Sequence, residues 1–244
     1  MDKVLAIADF KPRERLAYWY DVACKVLVKH ECQVHRESEF DATLLHSPLG
    51  ELDIVSLESQ GIHFAEVTAR TIADEMDDVF FLVLAIEGNA TLSQGGRDAV
   101  LAPGDFTLID TRRPYECRYY SDRWKHVIVK IPRPAFNSRL AATEKLTGRT
   151  VSASAGVGSL VSGYIQLLPE HILALQPAAK TQVGEHLVDL AALAVAANAG
   201  VDAPAISSGR AVALFRVRMA IESHLSDPTL DPEAVASAAG VSVR

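Results

Sequence analysis

The chain has 244 residues, of which 49% are hydrophobic and 23% are charged, and its formal net charge is −7 at pH 7. This length allows a substantial buried core, and the composition excludes a disordered or fibrous protein. The acidic balance argues against extensive sequence-independent binding to nucleic acid phosphates, because such binding needs clustered basic residues.

The start of the chain and its cysteines together predict a cytoplasmic protein. No apolar run approaches the roughly twenty residues that cross a bilayer. Residues 4–8 are too short an apolar stretch for a signal peptide, since Asp9 interrupts it. Cys24, Cys32 and Cys117 are odd in number and lack the spacing of a disulfide framework, which is typical of free thiols in a reducing compartment. We therefore expect no membrane partner.

The first predicted element is an amphipathic helix over residues 11 to about 29. Its apolar positions recur at helical spacing and form one stripe. They are Leu16, Trp19, Tyr20, Ala23, Cys24, Val26 and Leu27. The stripe predicts a helix that covers an apolar core.

Residues 33–132 follow a period of two, which predicts short antiparallel strands. Runs of this kind occupy residues 51–57, 64–72, 79–87 and 127–131. Turn-forming sequences such as Gln60-Gly61 and Glu87-Gly88-Asn89 separate the runs. Many short strands at this spacing are typical of a sandwich or barrel.

Residues 138–198 return to a helical period and predict a helical layer, which Pro169 and Pro177 are expected to divide. One stripe on the last predicted helix consists of Val183, Leu187, Leu190 and Ala194. Small residues let helices approach closely and leucines supply buried area, so the stripe suits a dimer surface. Packing against the chain's own strands suits it equally, and the pattern leaves both interpretations open.

The C-terminal residues carry the signals of a helix-turn-helix unit. Residues 199–209 are small and polar and predict a linker. A first helix is predicted over residues 211–225. A second is predicted over residues 232–239, because Asp231 suits an N-cap and Gly240 suits a left-handed turn. Residues 210–244 are therefore interpreted as an incomplete DNA-binding unit, with an ordinary helical hairpin as the alternative.

The helix that reads DNA in such a unit would begin at Val243, with Ser242 at its N-cap. Ser242 and Arg244 are accordingly the predicted DNA-binding residues. Because base contacts come from this helix, specific binding to promoter DNA is expected to need residues beyond Arg244.

Two stretches resemble the AraC/XylS family of transcription regulators. The sequence IESHLSDPTLDPEAVASAAGVSVR at residues 221–244 is similar to the start of that family's DNA-binding domain, and residues 85–110 resemble the second half of its cupin-like sensor domain. The resemblance implies an α+β protein. Residues 1–198 would form a cupin-like antiparallel β-barrel or jelly roll with flanking helices, and a partial all-α helix-turn-helix subdomain would follow.

The same resemblance implies a function. A regulator of this family binds a small-molecule effector in its barrel, forms a homodimer and presents its DNA-binding domains to promoter DNA. The family's effectors include sugars, aromatic acids, amines and amides. The mostly apolar candidate lining in this chain favours an aromatic or amide-like compound.

Seven residues are candidate effector contacts: Trp19, Arg70, Phe81, Tyr115, Cys117, His126 and Ile128. His126 and Ile128 share one face of a predicted strand, and the corresponding strand of arabinose-sensing relatives contributes ligand contacts. The guanidinium of Arg70 suits a carboxylate, carbonyl or hydroxyl group. A structural role remains open for each residue, as a solvated strand end for Arg70 and as core packing for the others.

The alternative function is a metal-dependent cupin-type enzyme acting on a small organic substrate. Such an enzyme needs two or three histidines and a carboxylate that converge inside the barrel, and the expected His-x-His motif is missing. His30, Cys32 and His35 are close in sequence, yet no second paired cluster accompanies them. We therefore expect no metal, no cofactor and no catalytic residues.

Overall fold

Two antiparallel sheets form the first part of the protein. The computed structural model describes residues 3–7, 10–73, 78–140, 142–200, 217, 220–221 and 231–240. The strands in these residues are β1 Lys3–Ala6, β2 Glu31–Val34, β3 Asp41–Leu49, β4 Leu52–Gln60, β5 Ile62–Val67, β6 Val79–Glu87, β7 Ala90–Gln94, β8 Arg97–Leu101, β9 Phe106–Asp110, β10 Tyr115–Tyr119 and β11 Arg123–Pro132. The larger sheet has the order β1-β3-β4-β11-β6-β9, and the smaller sheet has the order β2-β5-β10-β7-β8. The predicted antiparallel β-fold is confirmed.

The side chains of β11 alternate between two apolar cores, because successive residues of a strand point to opposite faces of its sheet. Trp124 and Ile128 pack between the two sheets, whereas Val127, Val129 and Ile131 pack against helices on the outer face of the larger sheet. β11 pairs with β4 on one side and β6 on the other, so it lies near the middle of the sheet. A single strand therefore belongs to both cores.

The interior core lies between the two sheets and contains buried side chains from both, among them Phe40, Phe81 and Leu92. Helix α1, Pro12–Val26, closes it with Trp19 and Ala23. The rings of Trp19 and Phe40 meet edge to face, with centroids 6.2 Å apart. The predicted amphipathic helix is thus confirmed as a cover over the sandwich.

The helical layer packs on the outer face of the larger sheet. It contains α3 Arg133–Asn137, a 3₁₀ turn Thr143–Lys145, α4 Gly156–His171, a 3₁₀ turn Ile172–Ala174 and α5 Pro177–Asn198. Pro177 begins α5, as expected. The expectation that Pro169 divides two helices is wrong, because Pro169 lies inside the last turn of α4.

Gly184 allows α5 to approach the larger sheet closely. A Cβ atom at this position would lie 2.7 Å from the carbonyl oxygen of Leu49, closer than real Cβ contacts. Only glycine therefore fits this crossing of α5 over the turn between β3 and β4.

The predicted dimer stripe packs within the chain itself. Leu187 and Ala194 are buried in the core of the helical layer, and Val183 and Leu190 pack against that core while partly buried. Leu187 and Ala194 therefore pack within the chain, and a role of the stripe in a dimer stays a prediction.

The predicted short C-terminal helix is present with the expected bounds, as α6 Pro232–Ala239. The side chain of Asp231 accepts a hydrogen bond from the backbone N–H of Ala234 over 2.7 Å, and Gly240 adopts the left-handed conformation with φ +62°. The linker from residue 201 onward, most of the predicted helix 211–225, and Ser242 and Arg244 lie outside the described residues.

Two boundaries differ from the prediction. The strand expected over residues 64–72 ends at Val67, and Ala69–Ala73 form the short helix α2. Strand β1 had no counterpart in the prediction, and its pairing with β3 places it at the edge of the larger sheet. No helix in the described part of the chain is long and apolar enough to span a bilayer.

Candidate ligand-binding cavity

A cavity of about 60 Å³ lies within the interior core, between the two sheets and beneath α1. Apolar side chains from both sheets form most of its wall. A few polar groups interrupt that wall, notably on His126, Glu66 and Tyr115. An apolar cavity with a few convergent polar groups is typical of a small-molecule site.

Six of the seven candidate contacts line this cavity: Trp19, Phe81, Tyr115, Cys117, His126 and Ile128. Arg70 does not, contrary to expectation, because it is exposed on α2. The backbone N–H of Thr68 donates to the hydroxyl of Thr71, and that of Thr71 donates to the hydroxyl of Thr68. These two bonds begin a helical turn directly after β5 and carry Arg70 away from the sandwich.

His126 is the central polar group of the cavity. It is 2% exposed, and its Nε2 atom has no hydrogen-bond partner among the described residues. Burial alone lowers the pKa of its imidazole to about 4. The ring is therefore neutral at pH 7 and can form a hydrogen bond with a ligand without bringing a charge.

An aromatic cluster holds His126 in place. The rings of Tyr119 and Trp124 stack with centroids 4.0 Å apart, and the imidazole of His126 lies 5.0 Å from Trp124. The indole N–H of Trp124 donates to the carbonyl of Ile62 over 2.9 Å. This bond and the stacking fix the wall on which a ligand ring would rest.

Helix α1 supplies another part of the wall through Trp19, whose indole Nε1 is buried and has no partner among the described residues. Two contacts hold the helix over the cavity. The hydroxyl of Tyr20 donates to the carbonyl of Cys32 over 2.7 Å and accepts from its N–H at the same distance. The ammonium of Lys130 donates to the carbonyls of Val26 and Leu27 at 2.9 and 3.3 Å.

The two buried thiols of the lining are unreactive at neutral pH. Burial raises the pKa of the Cys117 thiol to about 12 and also raises that of Cys32. The thiolate is the nucleophile, so both residues act as small polarizable wall groups.

Sequence reasoning missed several groups at the cavity, among them Glu66, Tyr119 and Trp124. Strand alternation contains a signal for two of them, since Trp124 and Tyr119 lie two residues from His126 and Cys117, respectively. Glu66 lies next to the inward-facing Val67, and alternation gives no indication of its contact with the cavity.

The candidate metal ligands do not converge. The Nδ1 atom of His30 lies 2.8 Å from the carbonyl of Val28, whereas the ring of His35 stacks on His63 with centroids 4.1 Å apart. Across the described residues, no group of three or more His, Cys, Asp or Glu side chains is arranged to hold a metal ion.

The profile of the AraC-binding-like domain family matches residues 19–195. The transcriptional activator NphR of Rhodococcus sp. is 27% identical over 209 residues, which cover 84% of this chain and 61% of NphR. An uncharacterized protein in the nit 5′ region of Bacillus sp. (strain OxB-1) is 28% identical over 243 residues, covering 98% of this chain and 93% of that protein.

The fold is similar to the crystal structure of the AraC-like transcriptional activator CuxR. The TM-score is 0.72 at 16% sequence identity, over 100% of this chain and 86% of that one. At this identity the similarity concerns the fold alone. The match over residues 19–195 covers both sheets except for β1, and most of the helical layer. The chain therefore belongs to the AraC-binding-like domain family of AraC-type transcriptional regulators.

Proposed function

We propose that the protein is a ligand-responsive transcriptional regulator of the AraC/XylS type, which senses a small-molecule effector in the interior cavity. The observation that carries this proposal is the cavity itself, whose apolar wall contains the neutral imidazole of His126 with an Nε2 atom that has no partner among the described residues. A buried polar atom without a partner costs about 1–3 kcal/mol. An effector that supplies the missing partner recovers this cost.

Two elements are placed to transmit occupancy of the cavity. Helix α1 carries Trp19 and forms one wall. Strand β11 carries His126 and Ile128 on the cavity side and Val127 and Val129 on the helical side. An effector that binds one arrangement of these elements more tightly shifts the population toward it. The helical layer would pass the shift to the DNA-binding residues and thus to promoter DNA.

The homodimer is also part of the proposal. Because Leu187 and Ala194 are buried in the chain's own core, the interface would use the outer side of the helical layer, where Leu160, Leu167 and Leu173 are exposed. Exposed apolar side chains on one layer support an association surface. Sedimentation velocity of the double variant Leu160→Glu/Leu167→Glu should show a shift toward monomer, and an unchanged dimer would place the interface elsewhere.

We propose a regulatory rather than a catalytic role, acting in the cytoplasm where the promoter lies. Support comes from the family membership and from the similarity to the activator NphR. The cavity wall offers hydrogen-bonding and aromatic groups suited to holding a ligand. Its buried thiols and its neutral imidazole serve binding in this proposal, with no covalent step.

A matched pair of cavity variants tests the effector site. Val83 lines the cavity and is buried, whereas Val100 is 60% exposed on β8. Val83→Phe places a ring in the cavity, and Val100→Phe places one in solvent. A thermal-shift screen of small metabolites should identify a compound that stabilises the wild type and Val100→Phe, by about 2.7 kcal/mol at a hundredfold excess over Kd.

The same compound should leave the melting temperature of Val83→Phe unchanged and should alter transcription from the target promoter in cells. Equal stabilisation of Val83→Phe would show that the effector binds outside the cavity.

A further inference from the structure

Two hydrogen-bonding groups of the cavity wall, carried by different elements, have no partner among the described residues. The indole Nε1 of Trp19, on α1, and the imidazole Nε2 of His126, on β11, are both buried and lack partners among the described residues. Their side chains are 1% and 2% exposed and line the same cavity. An indole N–H can only donate, so Trp19 requires an acceptor on the ligand. The neutral imidazole accepts at the nitrogen that carries no proton.

The electrostatics of the cavity disfavour an anionic ligand. No lysine or arginine among the described residues lines it. The neutral imidazole of His126 supplies no counter-charge for a buried carboxylate, and an unmatched buried charge is strongly unfavourable. Burial lowers the pKa of His30, the other histidine of the lining, but its contacts with Cys24 and Val28 raise that pKa overall, and these two groups already engage its Nδ1 atom.

The surface groove that adjoins the cavity carries acidic side chains. Glu66, Val67 and Tyr115 line both the cavity and an open groove on the protein surface, so the two meet where β5 ends and β10 begins. Glu66 lies directly opposite Glu31 on β2 and Glu116 on β10. Arg118 neutralises Glu116 through an ion pair of 2.8 Å, but the remaining carboxylates repel an approaching anion.

The size of the cavity limits the ligand. A volume of about 60 Å³ is smaller than the roughly 150 Å³ of an apolar cavity that binds benzene. A ligand with one aromatic ring therefore enters only when a wall moves. In this proposal the moving wall is α1, which carries Trp19 and lies outside both sheets, so that its movement leaves the strand pairing intact.

We propose that the effector is an uncharged molecule with a single ring and an amide-like group. Its carbonyl oxygen accepts the indole N–H of Trp19, and its N–H donates to Nε2 of His126. This inference rests on the proposed function, because it takes the interior cavity as the effector site.

The test is calorimetric titration of the 244-residue chain with four probes of similar size: benzamide, benzoate, benzylammonium and toluene. We expect benzamide to bind at least about 10-fold more tightly than either ion. In Trp19→Phe and in His126→Leu, the ratio of benzamide affinity to toluene affinity should fall about 10-fold, as expected for the loss of one neutral hydrogen bond. Val100→Ala, on the exposed face of β8, serves as the control and should keep the wild-type ratio.

Three results would overturn the ligand class: an ion that binds as tightly as benzamide, an unchanged ratio in both variants, or no binding of any probe up to about 10 mM. Val83→Phe then separates this failure from that of the proposed function. If Val83→Phe abolishes the binding of an ion that binds tightly to the wild type, the cavity remains the effector site. If Val83→Phe binds every probe with the wild-type affinity, the cavity is not the site.

Discussion

The interior core and the helical layer are both apolar, yet they differ in how they treat buried polar groups. In the helical layer and at its margin, charged groups are paired, as Arg139 is with Asp189 and Arg133 with Asp110. In the interior core, Trp19, Thr107 and His126 each bury a polar atom that has no partner among the described residues. A region selected for stability alone would remove such atoms. The helical layer thus stabilises the fold, and under the proposed function the unpaired atoms of the interior core serve ligand binding.

The largest expected effect is in the helical layer. Leu187 is 0% exposed in a closely packed core, so Leu187→Ala should lower the free energy of unfolding by about 2–5 kcal/mol. Urea denaturation measures this value, and Val100→Ala on the exposed face of β8 should change it by less than about 0.5 kcal/mol. A cost below about 1 kcal/mol for Leu187→Ala would show that the layer is loosely packed.

The second effect is a pH dependence that originates in the interior core. Because burial lowers the pKa of His126 to about 4 from the usual 6.5, the unfolded chain binds a proton between these values that the folded chain does not. Stability should therefore fall as the pH drops from about 6.5 to 4, by about 3 kcal/mol from this residue. In His126→Leu, the free energy of unfolding, measured by denaturation between about pH 4 and pH 6.5, should lack this part of its dependence on pH.

Ile128→Val is the matched control for the pH effect. It removes one methylene from the same cavity and should lower stability by about 1 kcal/mol at every pH. If His126→Leu kept the slope of the wild type, the buried imidazole would not be its source.

The third effect compares two helical glycines. Gly184→Ala forces a Cβ atom against the carbonyl of Leu49 and should cost about 1–3 kcal/mol. Gly163→Ala, on the exposed face of α4 with no atom within 4 Å of the new methyl group, should instead stabilise by about 0.5–1 kcal/mol. Thermal denaturation of both variants measures the difference. Equal effects would mean that α5 is free to shift away from the larger sheet.

Local chemistry explains which elements the sequence predicts well. Strand β6 occupies the predicted residues 79–87, because the turn-forming residues at its ends and the apolar run between them indicate the same bounds. The helix α6 begins and ends as predicted, since the Asp231 cap and the left-handed Gly240 are local signals. Arg70 was misplaced because the reciprocal bonds between Thr68 and Thr71 start a helix where the apolar run alone suggests a longer strand.

Tertiary packing explains the rest. Alternation shows that His126 and Ile128 share a face, but it does not show which face is enclosed by the second sheet. The stripe of α5 is compatible with a partner chain or with the chain's own sheet. The close packing of α5 on the sheet depends on the contact of Gly184 with Leu49, more than 130 residues away in sequence, which no local pattern reveals. No local pattern indicates that Glu66 reaches the cavity from the strand end.

The bond from Lys130 to the end of α1 has a consequence for synthesis on the ribosome. Neighbouring residues often cap the last carbonyls of a helix. The carbonyls of Val26 and Leu27 instead accept hydrogen bonds from the ammonium of Lys130, which lies 104 and 103 residues later in the chain. In a nascent chain these two carbonyls have no ammonium partner until the eleventh strand emerges and enters the sheet. We therefore expect the end of α1 to dock when the sandwich closes, so that the cavity and its cover form together.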